Sequence, residues 1–343
     1  MIIDVHQHVV APSSLEGYKG GLISSRGAHG KGSPTAGITL EQMKTTSWQG
    51  RGTHKDILDE VGTDVAIISA RPYTLIHSEK PEIIVRWFTE VSNDVIALGV
   101  KTAPDRFFGM ACLPQWYGAS PATYIQELDR CVSDLGFIGC MINPDPTEGE
   151  GVTPPMGDEY WYPLYERMCQ LDVPALVHSA ACLNPRLSYS THFINEETIA
   201  VVSLANSRVF EDFPNLKLII SHGGGAVPYQ IARWRAGRFN QMRGDAKVER
   251  FDDSIRKLYY DSSLYNKDSL ELLFKVVGPD RVLFGTENPG TGTAIDPDTG
   301  KYLDDLRPVI DSIDFLSAED KAKIFEQNAR QLFTRMKIGA ATR

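Results

Sequence analysis

The chain has 343 residues, of which 42% are hydrophobic and 23% charged, a composition that is typical of a globular protein with a large core and excludes disordered and fibrous classes. Its 35 basic and 44 acidic residues give a formal net charge of -9, which disfavours nucleic acids and anionic membrane surfaces as partners. The sequence contains neither an apolar stretch of roughly 18 residues nor the basic start of a signal peptide. We therefore expect a cytoplasmic protein that binds neither nucleic acid nor membrane.

Eight short apolar segments recur along the chain and are typical of β-strands. Most are nearly continuous in apolar residues, without the alternation of a half-exposed strand, which indicates strands that are buried on both faces. The segments span residues 2–9, 64–69, 107–113, 137–143, 174–178, 216–222, 258–262 and 281–286.

Amphipathic segments separate these strands. In residues 81–100, apolar side chains recur at three- and four-residue spacing after a proline that suits a first helical turn. Thr53 and Asp56 resemble a capping box that begins another helix. Further helices are predicted at 121–135, 195–210, 227–239 and 267–277, with C-terminal helices within 304–336, and long loops are predicted at 11–52, 182–194 and 289–304.

The alternation of strands and helices predicts the fold. Buried strands that are each followed by a helix favour a parallel sheet, and eight such units favour closure into a barrel over an open sheet. The sequence shows no internal repeat and no convincing linker. We therefore predict an α/β fold, a (β/α)8 TIM barrel with long loops and extra C-terminal helices, that forms one domain over residues 1–343.

Four histidines and one glutamate are predicted to meet at one end of this barrel. His6 and His8 point to the same side of the first strand, about 6.5 to 7 Å apart, so both imidazoles can reach one ion. His178 and His222 end the fifth and sixth predicted strands, and Glu287 directly follows the eighth. The carboxyl ends of barrel strands share one face, where functional residues gather. This pattern predicts a metal site.

Four motifs also carry a resemblance to a known family, and they are Asp4-Val5-His6-Gln7-His8, Val177-His178, Ser221-His222-Gly223-Gly224-Gly225 with Arg233, and Leu283-Phe284-Gly285-Thr286-Glu287. Over essentially its whole length the chain resembles the amidohydrolase superfamily. Within it, the chain is similar to the branch that contains aminocarboxymuconate semialdehyde decarboxylase, resorcylate decarboxylase and 4-oxalomesaconate hydratase.

The resemblance implies one divalent ion that is held by His6, His8, His178 and a carboxylate after the eighth strand, here Glu287. It also implies that His222 is an acid/base residue beside the ion. Most of the family has aspartate where this chain has Glu287, and the extra methylene leaves open whether the carboxylate contacts the ion directly. A glutamate at this place resembles the 4-oxalomesaconate hydratases of the branch.

The chemistry of these ligands restricts the choice of ion. Imidazole and carboxylate suit Zn²⁺, and Mn²⁺ or Fe²⁺ would fit nearly as well. We take Zn²⁺ as the expected ion. A catalytic site of this kind keeps an open position for water, whose pKa the ion lowers towards 7.

Further polar residues are expected on the same face and are candidates for substrate binding, namely Arg71, Tyr73, His77, Asn143, Asn184, Arg186 and Arg233. Arginine binds carboxylates in a bidentate manner, and several arginines near one opening of an acidic protein indicate a small polycarboxylate substrate. For each arginine alone, a solvated or salt-bridged surface position is the alternative interpretation. The family places a substrate-binding arginine at Arg233, in some members reaching a neighbouring subunit, which implies a homodimer or larger homo-oligomer.

The remaining histidines, His29, His54 and His192, are expected to be solvated or to cap helices. Trp48 and Arg51 lie in the predicted first loop, which is long enough to cover the site as a lid.

Three functions are compatible with these residues. The resemblance favours a metal-dependent hydratase of aromatic acid catabolism, which adds water to the carbon–carbon double bond of an unsaturated keto tricarboxylate such as 4-oxalomesaconate. In that reaction Glu287 is the expected general base and His222 the acid/base partner. The alternative is nonoxidative decarboxylation of an aromatic or muconate semialdehyde carboxylic acid. A metal-binding barrel without catalysis is disfavoured, because a structural ion needs no acid/base pair beside it.

Overall fold

The apolar segments of the sequence form eight parallel strands in the computed structural model, which describes residues 1–245 and 247–338. Neighbouring strands follow the order of the chain, so the sheet runs from β1 to β8 without a crossover between distant strands. All residues of six strands are buried, as expected for strands with helices on one side and the barrel interior on the other. The strands are β1 Ile3–His8, β2 Val65–Ser69, β3 Phe107–Cys112, β4 Gly139–Ile142, β5 Ala175–Val177, β6 Leu218–Ile220, β7 Tyr259–Asp261 and β8 Val282–Leu283.

Backbone hydrogen bonds between β1 and the segment at the end of β8 complete the ring. The Val5 amide donates to the Phe284 carbonyl over 2.9 Å, and the Glu287 amide donates to the His6 carbonyl over 2.7 Å. The predicted α/β barrel of eight parallel strands is therefore confirmed.

Helices surround the barrel. The predicted helix 267–277 has the predicted bounds, helix 81–100 begins one residue later, and the capping box of Thr53 and Asp56 is present. The α-helices of the described residues are α1 Ser14–Ser25, α2 Leu40–Thr45, α3 His54–Val61, α4 Glu82–Thr102, α5 Ile125–Ser133, α6 Tyr162–Leu171, α7 Tyr189–Ala205, α8 Val209–Asp212, α9 Ile231–Gly244, α10 Phe251–Ile255, α11 Lys267–Val277, α12 Arg307–Asp311, α13 Ala318–Ala322 and α14 Asn328–Leu332. None of the helices in residues 1–245 and 247–338 combines the length and apolar composition that crossing a bilayer requires.

Two predicted loops contain helices. Residues 11–52 form α1 and α2, and α1 escaped prediction because it is rich in glycine and buries only Leu15 and Leu22. The predicted loop 182–194 ends early, because Ser188 caps α7 and the helix begins at Tyr189 instead of residue 195. The predicted loop 289–304 has only a short 3-10 turn at Thr291–Thr293 and one isolated bridge.

Two other helix predictions need adjustment, and one helix was not predicted. The predicted helix 195–210 breaks after Ala205, and α8 follows as a separate turn. The predicted helix 227–239 begins only at Ile231, after the turns that follow Gly223–Gly225. The helix α6 was missed because its aromatic residues and Pro163 obscure a helical pattern in the sequence.

Candidate metal centre and active site

The ends of three strands bring four potential metal ligands together. His6 and His8 end β1, His178 directly follows β5, and Glu287 lies four residues after β8. Each offers one donor atom, and these atoms all lie within 4.8 Å of one another. All four residues are buried. The structure therefore forms the group that the sequence pattern predicted.

The second ring nitrogen of each of these histidines has a partner that fixes its orientation. His6 Nδ1 donates to Asp261 Oδ2 over 2.5 Å, and His178 Nδ1 donates to the carbonyl of Ser179 over 2.7 Å. His8 Nδ1 lies 3.2 Å from Ser69 Oγ. In each ring the Nε2 atom is thereby left with its lone pair for a ligand.

The Nε2 atoms of His6 and His178 are buried and have no hydrogen-bond partner among the described residues. A buried polar atom without a partner costs free energy, which coordination to an ion would offset. Burial lowers the pKa of His6 and lowers that of His8 well below its usual value, so both rings are neutral, as metal ligands must be. These residues therefore fit a divalent ion.

Glu287 lies between the metal-binding histidines and His222. Its Oε1 atom is 3.7 Å from His178 Nε2 and 3.4 Å from His222 Nε2. Its Oε2 atom accepts a hydrogen bond from the Tyr265 hydroxyl over 2.5 Å. Burial alone would raise the pKa of the Glu287 carboxyl, but the positive charge on the neighbouring His222 ring holds that pKa well below its usual value.

A carboxylate holds the His222 ring on the side opposite Glu287. Both Glu197 oxygens lie 2.9 Å from His222 Nδ1, and Glu197 is fully buried in α7. Burial would lower the pKa of His222, but the charges of Glu197 and Glu287 raise it well above its usual value. The Phe193 ring stacks on His222 with centroids 5.9 Å apart.

His222 and Glu287, the two predicted acid/base residues, have left-handed backbone conformations, with φ of +50° and +59°. Residues other than glycine rarely adopt such angles, and they do so mainly where the surrounding structure holds them at functional sites. Here the β1 carbonyl of His6 holds the amide of Glu287, as described for the closure of the barrel. The strain supports a functional role for the pair.

A cavity of about 470 Å³ opens next to the metal-binding group. Its walls include His8, His178 and Glu287 together with Arg71 and Tyr73, two of the predicted substrate residues. Trp48, from the predicted first loop, also lines the cavity, and its ring centroid lies 3.7 Å from the Arg71 guanidinium carbon. Arg71 Nη2 donates to the Pro289 carbonyl over 2.6 Å, so the arginine is fixed at this wall.

The other predicted substrate residues do not line this cavity. His77 is buried and donates from Nδ1 to the Gln115 carbonyl over 2.7 Å, and Asn143 is buried beside Gln115. Arg186 is exposed on the loop before α7. Asn184, in the same loop, donates from its side-chain amide to the Gly149 carbonyl over 3.4 Å.

Arg233 lies elsewhere on the surface. It is exposed on α9 and lines a separate groove of about 750 Å³ with Val202 and Trp234. Arg233 could contact a substrate in the cavity beside Glu287 only if a second copy of the chain brought this groove to that cavity.

Two histidines differ from expectation. His54 is buried against Phe107, and its Nε2 lies 2.8 Å from Gln7 Oε1, because the first turn of α3 packs on the barrel instead of facing solvent. His192 is fully buried because α7 begins before it and turns it inward. His29 is exposed, as expected.

Sequence reasoning missed Asp261, Glu197 and Tyr265, which hold His6, His222 and Glu287. Asp261 is the last residue of β7, so the rule that places functional residues at strand ends could have found it. Glu197 and Tyr265 lie in a helix and a loop, and no pattern in the sequence marks them.

The chain is similar to known proteins over most of its length. Residues 3–335 match the family model described as amidohydrolase. The chain is 35% identical over 340 residues to the 2-keto-4-carboxy-3-hexenedioate hydratase of Sphingobium sp., covering 98% of this chain and 97% of that protein. It is 31% identical over 261 residues to a gamma-resorcylate decarboxylase of Rhizobium sp., covering 71% of this chain and 74% of that protein.

A solved structure extends the similarity to three dimensions. The crystal structure of 4-oxalomesaconate hydratase from Rhodopseudomonas palustris superimposes with a TM-score of 0.85 and 32% identity, covering 98% of this chain and 96% of the other. The matched family model, the relatives and the shared barrel lead to one conclusion: the chain belongs to the amidohydrolase family.

Proposed function

We propose that this protein is a metal-dependent hydratase that adds water to the carbon–carbon double bond of an unsaturated keto polycarboxylate. The observation that carries the proposal is its similarity, over almost the whole chain, to two proteins named as hydratases of such compounds, 2-keto-4-carboxy-3-hexenedioate and 4-oxalomesaconate. The geometry around Glu287 and His222 supports it, because hydration needs one group that takes a proton from water and one that gives a proton to carbon.

The ion in this proposal is Zn²⁺, which would be held by His6, His8 and His178, with the Glu287 carboxylate beside these ligands and free to act as a base. When bound, such an ion acidifies water and polarises substrate oxygens. The Nδ1 partners Asp261, Ser69 and Ser179 keep the three rings in the orientation that ligation requires.

Glu287 is the proposed general base. Its depressed pKa keeps the carboxylate ionised at neutral pH, and the Tyr265 hydroxyl fixes Oε2, so Oε1 is the atom that accepts the proton from water. The water oxygen then forms the new bond to the substituted carbon of the double bond.

His222 is the proposed acid. Its Nε2 proton goes to the neighbouring carbon of the double bond, which completes the addition. Glu197 stabilises the charged ring before the transfer, so a proton is available at neutral pH. Oε1 of Glu287 and Nε2 of His222 are 3.4 Å apart, so the proton that the base has gained can return to His222 directly and restore both groups.

Arg71 is the proposed carboxylate anchor within the cavity. Its Nε atom is buried without a partner among the described residues, and its Nη1 atom lies 3.2 Å from the Tyr73 hydroxyl. Stacking on Trp48 holds the guanidinium plane in place, which favours bidentate recognition. We propose Arg186, His77 and Asn143 as outer contacts of the substrate after movement of the β5–α7 loop, and Arg233 as a contact from a neighbouring subunit of a homo-oligomer.

Nonoxidative decarboxylation is the second candidate, because the chain is 31% identical to a decarboxylase over 71% of its length. The experiment follows loss of the conjugated ultraviolet absorbance of 4-oxalomesaconate, with CO₂ measured in parallel. In the wild type we expect the absorbance to fall without release of CO₂. In the His222→Asn variant we expect it to fall only at the background rate. Release of CO₂ in proportion to the substrate consumed would assign decarboxylation instead, and a stable absorbance would reject the hydratase.

A further inference from the structure

A second cluster of metal-binding side chains lies outside the site described above. It consists of Asp145, in the segment after β4, and His192 and Glu196, both on α7. One donor atom from each lies within 4.8 Å of the others. None of the three lines the cavity beside Glu287.

The two helical members face the same way because they are four residues apart, one turn of α7. Backbone amides fix the position of the third member, Asp145. Asp145 Oδ1 accepts from the Thr147 amide over 3.1 Å, and Oδ2 accepts from the Gly149 amide over 2.8 Å. The Thr147 hydroxyl also donates to Oδ1, so Oδ2 is the oxygen that keeps a second lone pair for a ligand.

The imidazole of His192 is an unusual group to find without a partner. The residue is fully buried, and neither ring nitrogen makes a hydrogen bond within residues 1–245 and 247–338. Most buried side-chain polar atoms are satisfied, so a ring with two unsatisfied nitrogens requires an explanation. A ligand at one nitrogen and a water at the other would supply it.

The carboxylates point to a cation as that ligand. No lysine or arginine of the described residues forms an ion pair with Asp145 or Glu196, and Asp145 is buried. Burial, and after it the charge of Asp145, raises the pKa of Glu196 to about 7, as expected for two carboxyl groups that share a site. Two carboxylates that face each other at a buried imidazole therefore lack the positive charge that normally accompanies them.

We propose that Asp145, His192 and Glu196 bind a second divalent transition-metal ion, separate from the ion held by His6, His8 and His178. An imidazole nitrogen with two carboxylate oxygens suits Zn²⁺ or Mn²⁺ better than Ca²⁺ or Mg²⁺, which prefer oxygen alone. Bonds of about 2.0 to 2.2 Å require donor atoms no more than about 4.4 Å apart, so small side-chain rotations close the group on an ion.

The second ion would fix the start of α7 to the segment after β4. This matters for the first site, because the residues next to the cluster on α7 are Phe193, which stacks on His222, and Glu197, which binds His222 Nδ1. The second ion is therefore a positioning element and does not touch the proposed substrate.

Metal stoichiometry tests the inference without any assay of activity. The metal-free protein is dialysed against Zn²⁺, and separately against Mn²⁺, and bound metal per chain is measured. We expect two ions in the wild type and one in Asp145→Asn and in Glu196→Gln. We also expect one in His8→Asn, in which the first site is damaged and the second is intact. Glu166→Gln removes an exposed carboxylate on α6 and should retain two.

Thermal unfolding of the same proteins separates loss of binding from loss of folding. In the His8→Asn background, added Zn²⁺ should raise the Tm, and a further Asp145→Asn or His192→Phe change should abolish the rise while leaving a cooperative transition without metal. The inference is overturned if the wild type takes up only one ion at saturation with both metals. It is equally overturned if folded Asp145→Asn and Glu196→Gln proteins still bind two. Neither result depends on whether the protein is a hydratase.

Discussion

At the scale of single residues, the partner of one ring nitrogen determines what the other nitrogen of a histidine can do. A carboxylate holds Nδ1 of His6 and of His222, whereas a carbonyl holds Nδ1 of His178. His6 and His178 lie among other histidines, so their free Nε2 atoms suit an ion. His222 faces Glu287 instead, so its Nε2 atom suits a proton.

Glu287→Gln tests the general base. The substitution keeps the shape of the side chain and its contact with Tyr265 but removes the group that accepts a proton, and loss of a general base typically costs about 100- to 10,000-fold in rate. We expect kcat for hydration to fall by that factor. Steady-state kinetics and metal analysis on the same preparation measure it.

Glu287→Asp should also be poor, because the shorter side chain moves the base out of reach. Glu166→Gln, an exposed position, is the matched control and should match the wild type. A Glu287→Gln enzyme with normal metal content and wild-type kcat would reassign the base, and His222 would be examined next.

His54 makes stability depend on pH. Burial lowers its pKa to about 3, so the folded protein holds it neutral, whereas the unfolded chain binds a proton below about pH 6.5. The unfolded state therefore binds more protons as pH falls from 6.5 towards 3, and the free energy of unfolding decreases by up to about 1.4 kcal/mol per pH unit from this residue. Above pH 6.5 this loss is absent.

We therefore expect His54→Gln to flatten the fall in unfolding free energy between pH 6.5 and 4, as measured by urea titration at each pH. Glutamine keeps a hydrogen bond to Gln7 but takes up no proton. His29→Gln, at an exposed histidine, should leave the slope unchanged. Identical slopes for His54→Gln and the wild type would show that His54 does not carry the acid sensitivity.

At the scale of elements, strands were easier to predict than helices, and the reason is physical. A strand buried on both faces is apolar throughout, so its position is visible in composition alone. Helix α1 buries only Leu15 and Leu22, and α7 packs the polar residues His192 and Glu197 inward, so neither has an apolar stripe that shows where it begins. Glu197, which holds the His222 ring from α7, therefore could not be found from the sequence.

The loop that carries Trp48 is fixed to the body of the protein by Arg51. The side chains of Arg51 and Asp304 are 3% and 0% exposed, and Arg51 Nη1 lies 2.8 Å from Asp304 Oδ2. The Arg51 guanidinium also stacks on Tyr302 at 3.7 Å. Removing one member of such a pair leaves a buried charge, at a cost of about 3 to 5 kcal/mol.

We expect Arg51→Met to lower the free energy of unfolding by about that amount and to raise KM, because Trp48 would no longer be held against Arg71. Urea unfolding and steady-state kinetics measure the two effects. The double variant Arg51→Met with Asp304→Asn should recover part of the stability, since no unpaired charge remains. A stable single variant with unchanged KM would show that the loop is held by other contacts.

At the scale of the whole molecule, the hydrogen bonds that close the barrel also bring the residues of the candidate site together. The hydrogen bonds that join β1 to the segment after β8 include the one from the Glu287 amide to the His6 carbonyl, so the two ends of the chain bring Glu287 next to His6. This is why the strand-end rule predicted His6, His178, His222 and Glu287 from sequence. Arg233 lies outside that rule because it is on α9, thirteen residues after the end of β6, and not at the end of a strand.

The position of Arg233 leads to a prediction about assembly. An exposed arginine in a groove apart from the cavity can bind the proposed substrate only if a second copy of the chain brings the groove to its own cavity. In a homodimer of this kind, Arg233→Met and Glu287→Gln damage the same site from different subunits. Each variant alone is impaired, whereas a mixed dimer contains one site with an intact Glu287 and an intact Arg233.

Coexpression of the two variants with different affinity tags, followed by isolation of the mixed dimer, should therefore recover about half the wild-type activity per dimer. The recovery follows because the Arg233→Met subunit keeps its base and receives an arginine from its partner. If Arg233 served its own subunit, each site of the mixed dimer would lack one group and no activity would return. Sedimentation of the unmodified protein provides the control, since a chain that remains monomeric at assay concentration would exclude any contribution of Arg233 across subunits.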